Sequence, residues 1–261
     1  MNDKQDIDPR RHFPKPDSNF VNLSCEEASP HLQKGKVLGG HTMPWGSNYT
    51  FLLWLTASAD ESTCIRAIYK PKDGEKPLYD FRQGTLYKRE YAAYLLSLEL
   101  GWPNIPATVI REGPYGIGTM QLYIDCDPRI TYFDMREYLK DKLSKLAVFD
   151  FLTNNADRKA SHCILDKTET IWSIDHGLTF HTDFKLRTVM LEYCGDVIED
   201  DLLCDLRNLK RKFKSKRTIK TFSPFISGKE IAALISRLDC MINDPKLPML
   251  DPYKNVPWPL A

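Results

Sequence analysis

The chain has 261 residues, of which 42% are hydrophobic, 27% charged and 11% aromatic, and its formal net charge is +1. This composition is that of a globular protein and excludes collagen-like, low-complexity and intrinsically disordered chains. The near-neutral charge argues against a nucleic-acid-binding domain, because such domains are typically strongly basic. We therefore expect a folded protein that has no nucleic-acid partner.

The cysteines and the apolar segments indicate the compartment. Seven cysteines are scattered along the chain without a C-x-x-C pair, a pattern typical of reduced thiols. The polar N-terminus lacks the apolar segment of a secretory signal, and the longest apolar stretch, Phe51 to Leu55, is too short to cross a bilayer. We expect a cytoplasmic protein without a transmembrane segment.

The first half of the chain predicts a small antiparallel sheet with one inserted helix. Residues 1–20 mix charges with prolines and predict a flexible tail. A helix is predicted between Thr85 and Leu100, where apolar residues recur at helical spacing before Gly101. A loop is predicted at 39–48, and strands rich in β-branched and aromatic residues are predicted at 49–55, 64–70, 107–111 and 119–124.

The second half is predicted to be mostly helical. A helix is expected over 133–152, followed by the loop-forming residues 154–159. A capping box at Ser227 and Glu230 predicts a helix over 231–242. Short strands are predicted at 162–165 and 170–174, and an irregular, proline-rich segment at 245–259. Both halves together predict an α+β protein.

Several charged residues match the requirements of phosphoryl transfer from ATP. That reaction needs a cation on the phosphates, a carboxylate that holds this cation, another that binds a metal ion, and an acid that orients the attacking hydroxyl. Lys70 ends an apolar strand and Glu90 lies on the helix that follows, so the two can pair. The spacing is equally compatible with two solvated side chains, because most charged residues are exposed.

Two aspartates flank a small predicted hairpin. Asp157 follows a helix, and Asp175 follows the apolar run Ile171 to Ile174. The hairpin can bring both carboxylates to one site, where one would orient a hydroxyl and the other would bind Mg²⁺ through oxygen. The alternative is that both are turn residues that make local hydrogen bonds. Between two strands, Gly46, Ser47 and Asn48 could cover phosphates with backbone N–H groups or form a plain hairpin turn.

In combination, these residues and their flanking sequences resemble a known family. The chain is similar to the phosphatidylinositol 3-/4-kinase-like superfamily, especially type II phosphatidylinositol 4-kinases and their bacterial relatives, and more distantly to HipA-like kinases. The resemblance covers residues 37–190. The matching strings are GSNYTF (46–51), AIYKPKDGE (67–75), KREYAAYLL (88–96), LGWPNIPAT (100–108), GTMQLYI (118–124), AVFDFLTNNADRK (147–159) and WSIDHGLTF (172–180).

The resemblance implies a bilobal protein-kinase-like fold with ATP and Mg²⁺ as cofactors. It implies a tail at 1–20, an N-lobe at 21–125 with a small antiparallel sheet, and a mostly helical C-lobe at 126–261, with the nucleotide between the lobes. The implied catalytic residues are Asp157, Lys70 and Glu90. The implied nucleotide-binding residues are Ser47, Asn48, Lys70 and a hinge from Gln121 to Ile124, and Asp175 is the implied metal ligand.

Two positions depart from the family pattern. An asparagine that helps to bind the metal usually stands five residues after the catalytic aspartate, and here that position is His162. Hard cations such as Mg²⁺ prefer oxygen to imidazole, so either one metal site is lost, or His162 binds phosphate, or His162 binds a different metal that the site favours. The second departure is His176, which follows Asp175 where the family has an aromatic residue. With His181, these residues match no compact zinc motif.

These observations predict an ATP- and Mg²⁺-dependent phosphotransferase whose acceptor hydroxyl belongs to an unknown lipid, protein or small molecule. The alternatives are a pseudokinase that binds nucleotide without transferring phosphate, and a HipA-like protein Ser/Thr kinase or nucleotidyl transferase. The basic segment 207–217 predicts either peripheral contact with anionic lipids or a solvated helix face balanced by the acidic run 196–205. Lys185 and Arg187 are further candidates for contact with the acceptor.

Overall fold

The computed structural model describes residues 19–43, 48–59 and 61–261. Contacts divide the chain into two compact units. The first, called the sheet unit, comprises the residues up to Tyr87 together with Pro106–Tyr123. The second, called the helical unit, comprises Lys88–Ile105 together with Ile124–Ala261.

The described residues of the sheet unit form six strands, which are β1 Asn19–Phe20, β2 Val37–Thr42, β3 Phe51–Thr56, β4 Thr63–Pro71, β5 Thr108–Gly113 and β6 Gly116–Leu122. Five of them lie in the order β2-β3-β4-β6-β5 and are antiparallel to their neighbours. The short strand β1 pairs in parallel with the start of β4. Helix α1, Cys25–Lys34, packs against this sheet and begins with a capping box between Ser24 and Glu27.

Two parts of the sheet differ from the prediction. Strand β2 runs through Gly39 and Gly40, which the sequence placed in a loop. A Cβ atom at Gly40 would collide with the backbone oxygen of Leu52, so this glycine permits the close approach of β2 to β3. In addition, Asn19 and Phe20 belong to a strand, although the sequence placed them in the tail.

Helix α2 forms as predicted, over Leu86–Leu100, and is followed by Gly101 with a left-handed φ of +82°. At its start, the Glu75 carboxylate accepts a hydrogen bond of 2.9 Å from the Tyr87 amide. The sequence assigned the helix to the N-lobe, whereas the structure groups residues 88–105 with the helical unit. The reason is burial, because the apolar side chains of this segment belong to the core of that unit: Ala92, Ala93, Leu96, Leu100, Trp102 and Ile105.

The predicted helix over 133–152 is interrupted. It consists of α3, Tyr132–Met135, and α4, Lys140–Thr153. Leu139 leaves the helical region at ψ 25°, although its amide still donates to the Met135 carbonyl over 2.9 Å. The helical spacing of apolar residues therefore continues through a local distortion that the spacing alone does not reveal.

The remaining elements of the helical unit are three helices and one hairpin. They are β7 Cys163–Leu165, β8 Ile171–Ser173, α5 Asp200–Phe213, α6 Lys216–Phe222 and α7 Gly228–Asn243. The capping box of α7 forms as predicted, with the Ser227 amide donating to Glu230 over 2.7 Å. Helix α1 was not predicted from the sequence, whereas α5 and α6 overlap the segment 207–217, for which a solvated helix face was one of two alternatives. Among the described residues, no helix is both long and apolar enough to span a membrane.

Candidate active site

The hairpin of β7 and β8 brings the two predicted aspartates to the same part of the helical unit. Asp157 precedes the hairpin and Asp175 follows it. His162 connects them, with its Nδ1 atom 3.0 Å from the Asp157 carbonyl oxygen and its Nε2 atom 3.3 Å from Asp175 Oδ2. Three of the predicted site residues thus form one cluster.

A buried arginine holds this cluster together. Arg158 is fully buried and binds both oxygens of Asp150 on α4, at 2.6 and 2.8 Å. Its Nη1 atom donates to the carbonyls of His162, at 3.2 Å, and Ile174, at 3.0 Å. His162 directly precedes the hairpin and Ile174 directly follows it, and the Ile174 amide donates to the His162 carbonyl over 3.0 Å. One guanidinium therefore fixes the backbone where the hairpin begins and ends.

Two asparagines shape the loop that carries Asp157. Asn154 ends α4 in the left-handed region, at φ 55°, and its amide donates to the carbonyls of His181 and Asp183 at 3.0 and 2.6 Å. Asn155 accepts a hydrogen bond of 3.0 Å from the Asp157 amide. The side-chain amide nitrogen of Asn155 donates to Asp150 Oδ1 over 2.9 Å. The loop is therefore held by the side chains of the two asparagines that follow α4.

The environment of Asp157 makes its carboxyl group unusually basic. Burial raises its pKa from 3.8 to about 6, the positive charge of Lys159 opposes this shift, and the charge of Asp175 adds to it. Its Oδ2 atom lies 3.1 Å from Lys159 Nζ. A carboxylate with such a pKa is ionised at neutral pH and is able to accept a hydrogen bond or a proton from a hydroxyl group.

Asp175 has a strained backbone and a partly exposed side chain. Its φ is +61°, in the left-handed region, and 46% of its side chain is exposed. The neighbouring His176 is fully buried, with Nε2 3.0 Å from both Arg158 Nη2 and Ser173 Oγ. His176 is thus a packed, hydrogen-bonded side chain directly after Asp175.

The other predicted site residues lie partly in the sheet unit. Lys70 is on β4, opposite Thr119 of β6. Gln121 is buried between β4 and β5, and its amide donates to Thr108 Oγ1 over 2.9 Å. Asn48 accepts a hydrogen bond of 2.8 Å from the Lys76 amide. Ser47 lies outside the described residues.

The predicted hinge is already hydrogen-bonded over most of its length. The Leu122 amide donates to the Ala107 carbonyl over 2.8 Å, and the Tyr123 amide donates to the Arg66 carbonyl over 3.0 Å. Gln121 pairs with strands on both sides. The prediction of an adenine contact therefore rests mainly on Ile124. In the helical unit, Glu90 on α2 is buried, with 2% of its surface exposed.

Arg89, next to Glu90, is a buried residue that the sequence analysis missed. Its Nη1 atom donates to the Thr179 carbonyl over 2.6 Å, and its Nη2 atom pairs with Glu230 of α7. Arg89 thereby links α2 to the segment that follows Asp175. Arg158, Asp150, Asn154 and Asn155 were also missed, although Asp150 could have been noticed as an acidic residue inside the apolar run AVFDFL.

The described residues contain no group of three or more His, Cys, Asp or Glu side chains suited to hold a metal ion. His162 and Asp175 are two potential ligands, so a cation there would need further ligands from a bound molecule.

The basic segment 207–217 spans the end of α5 and the start of α6. Within it, Lys210 pairs with Asp239 at 2.6 Å, and Lys212 pairs with Glu99 at 2.8 Å. Arg187 lies beside the Asp157 loop, 3.4 Å from the Ala156 carbonyl.

The fold is of the kinase-like α+β class. The structure of the Golgi casein kinase with Mn/ADP bound is similar to it, with a TM-score of 0.50 and 15% identity over 84% of this chain and 75% of that one. For hydra Fam20 with sugar, the TM-score is 0.49, with 16% identity over 86% and 89% of the two chains. For the Helicobacter pylori proinflammatory kinase CtkA, it is 0.47, with 13% identity over 79% and 93%. At such identities, the likeness concerns the fold alone.

No family model matches the chain. Its sequence is, however, 34% identical to protein Rv2133c of Mycobacterium tuberculosis, over 82% of this chain and 88% of that protein. The chain belongs to the family of Rv2133c.

Proposed function

We propose that the chain is a phosphotransferase that uses ATP and a divalent cation. The observation that carries this proposal is the cluster of Asp157, His162 and Asp175, held by the buried Arg158 in the helical unit. Two carboxylates of different exposure, 24% for Asp157 and 46% for Asp175, suit the two tasks that phosphoryl transfer assigns to acids, which are to orient a hydroxyl and to bind a metal ion.

Each residue has a distinct part in this proposal. Asp157 orients the acceptor hydroxyl, and its raised pKa suits it to receive the proton. Asp175 and His162 bind the cation, for which the sequence analysis named Mg²⁺. When bound, such a cation neutralises charge on the phosphates. Lys70 adds positive charge at the phosphates, and its pairing with Glu90 stays a prediction from the sequence.

The nucleotide contacts are proposed from the sequence motifs. Ser47 and Asn48 belong to the predicted phosphate loop, while Gln121 and Ile124 belong to the predicted hinge, where Ile124 is the better candidate for contact with adenine. The finer assignment to the phosphatidylinositol 3-/4-kinase-like superfamily rests on the sequence motifs. A lipid, protein or small-molecule acceptor, peripheral contact with a membrane and a cytoplasmic location remain predictions.

The proposal is tested by substitution of the metal-binding carboxylate. In D175N, we expect cation-dependent turnover of ATP labelled in its γ-phosphate to fall at least about 10²-fold, because the cation loses its charged ligand. The matched control is D183N, which makes the same change at an exposed aspartate of the same segment and should retain activity. Equal turnover by wild type and D175N would reject the assignment.

His162 favours a second candidate function, that of a pseudokinase. If the histidine prevents productive metal binding, the chain would bind nucleotide and transfer nothing. Intact-mass spectrometry after incubation with ATP and cation separates the possibilities that modify the chain itself. A gain of one phosphoryl group indicates protein kinase activity, and a gain of one AMP indicates nucleotidyl transfer. Thermal stabilisation by nucleotide without labelled product from any acceptor supports the pseudokinase.

A further inference from the structure

A segment that follows Asp175 lies along the loop that carries Asp157. This segment, residues 178–187, is called the flanking segment. Its hydrogen bonds to the loop run from the amides of Ala156, Phe180 and Arg187 to the carbonyls of Leu178, Thr153 and Asn155, at 2.8, 2.6 and 3.0 Å. Because these bonds lie near both ends of the flanking segment, a displacement of the segment also displaces the loop.

The His181 carbonyl joins the flanking segment to two helices of the helical unit. It accepts a hydrogen bond of 3.0 Å from the side chain of Asn154, which ends α4. It also accepts one of 3.2 Å from Nη1 of Arg237, a residue of α7. The Nε atom of Arg237 donates to the Leu152 carbonyl in the last turn of α4, over 2.8 Å. One guanidinium therefore ties α7 both to the end of α4 and to the flanking segment.

The Arg237 guanidinium is held there without a carboxylate. In the described part of the chain, no acid forms an ion pair with it, and its Nη2 atom is buried without a hydrogen-bond partner. Burial lowers the pKa of Arg237 from 12.5 to about 10, so the group is still charged at neutral pH. A charge that is buried without a counter-charge adds little to the stability of a fold. What the arginine supplies is the alignment of two carbonyl groups.

We propose that Arg237 is a positioning residue, which acts through the His181 carbonyl to align the Asp157 loop with the acceptor. This inference rests on the proposed function. In that reaction, the acceptor oxygen bonds to the γ-phosphorus of ATP as the bond from this phosphorus to the β–γ bridging oxygen breaks, ADP leaves, and the hydroxyl proton passes to Asp157. The flanking segment also carries Lys185, a candidate for contact with the acceptor, whose amide donates to Asn154 Oδ1 over 2.8 Å.

The test substitutes Arg237 in the full-length chain. R237M keeps an unbranched side chain but removes the charge and both hydrogen bonds. We expect turnover of γ-labelled ATP to fall at least about tenfold, because small displacements near a reacting group are costly in rate. The affinity for ADP with a divalent cation should change little, since Arg237 contacts neither Asp175 nor His162. The matched control is R207M, the same change at an exposed arginine of α5, which should leave both quantities unchanged.

Hydrogen exchange followed by mass spectrometry separates positioning from stability. In R237M, peptides that contain the Phe180 and Lys185 amides should exchange faster, because these amides hold the flanking segment to the loop. Peptides of the sheet unit should exchange at the wild-type rate. The midpoint of thermal unfolding should stay within about 3 °C of the wild type, since the loss of two hydrogen bonds is offset by the loss of a buried charge.

Each outcome decides for or against the inference. Wild-type turnover in R237M, or unchanged exchange in its flanking segment, overturns the inference and leaves the phosphotransferase proposal intact. An R237M protein that is unfolded, or whose exchange is faster throughout, also overturns it, because Arg237 would then be a residue of general stability. Failure of the proposed function appears instead in the wild type, as the absence of ADP binding with any divalent cation.

Discussion

Asp157 is a partly buried carboxylate that must be ionised to act in the proposed reaction. Its side chain is 24% exposed, and burial is the main reason that its pKa is raised to about 6. A raised pKa in the folded state means that the Asp157 carboxyl group binds a proton more tightly in the folded protein than in the unfolded chain. This tighter proton binding stabilises the folded protein at pH values below the pKa of Asp157 in the unfolded chain. The stabilisation is lost as the pH rises through the pKa of Asp157 in the folded protein. At neutral pH, the charge of Asp157 therefore opposes folding.

D157N should for this reason be more stable than the wild type at pH 8. The shift from 3.8 to about 6 corresponds to an increase in the free energy of unfolding of about 1 to 3 kcal/mol, with the lower part of this range allowing for solvent screening. The difference should shrink as the pH falls towards 4, where Asp157 is protonated in the folded protein. Urea unfolding at both pH values measures it.

The control for this prediction is D183N, because the Asp183 carboxylate is exposed and its replacement should not increase the free energy of unfolding. A D157N protein that is less stable than the wild type at pH 8 would show that the hydrogen bonds and the Lys159 pair of Asp157 outweigh its burial. The raised pKa would then be contradicted.

The sequence indicated the side chains of the candidate site better than it indicated the residues that support them. Asp157, His162 and Asp175 stood out because carboxylates and a histidine flank a short hairpin pattern. Arg158 carried no comparable signal, since an arginine beside an aspartate usually lies at the surface. Its burial depends on Asp150 of α4 and on two carbonyl groups of the hairpin, and these partners become visible only in the folded chain.

At the scale of elements, the irregular C-terminal segment braces the loop that carries Asp157. The Thr188 amide donates to the Asn255 carbonyl, and the Asn255 side chain donates to the Leu186 carbonyl, both over 2.9 Å. Further along, the Ala160 amide donates to the Leu260 carbonyl over 2.9 Å. The sequence predicted this segment as irregular, and it is confirmed as such, but its contacts link it to the segments beside Asp157.

N255A should loosen this brace while leaving the cation ligands in place. We expect turnover to fall about tenfold or more, because displacements of about 1 Å near a reacting group can cost up to 10²-fold in rate. ADP affinity should change little. Turnover and ADP calorimetry measure the two effects.

The matched control is K254A. Lys254 is the neighbouring residue, it is 83% exposed, and its only ion pair among the described residues is with Asp251. If N255A and K254A have the same turnover as the wild type, the C-terminal segment does not position the loop that carries Asp157.

Element type was easier to predict than element limits. The strand and helix patterns around Lys70 and Glu90 were right because period-two and helical spacings are strong local signals. The interruption at Leu139 and the strand through Gly40 depend on backbone geometry and on close packing with neighbours, which local patterns do not encode. Only the end of α5 was considered as a helix, within the segment 207–217, although the buried leucines at 202, 203, 206 and 209 follow helical spacing over its whole length.

At the scale of the whole molecule, the prediction of a kinase-like α+β fold is confirmed. The limits of the two units were harder to predict than their content. Residues 88–105 lie between the strands β4 and β5 in the sequence and were therefore assigned to the N-lobe. Their contacts with the core of the helical unit, including the Arg89 links to Thr179 and Glu230, are long-range and could not be derived from local patterns.

The central claim is that Asp157 orients an acceptor in a cation-dependent phosphoryl transfer. The most direct measurement compares the turnover of γ-labelled ATP by wild type and D157N, with ADP affinity determined for both. We predict that ADP binds both proteins similarly and that turnover by D157N is lower by at least about 10²-fold. Turnover that is equal in the two proteins, while both bind ADP, would contradict the account.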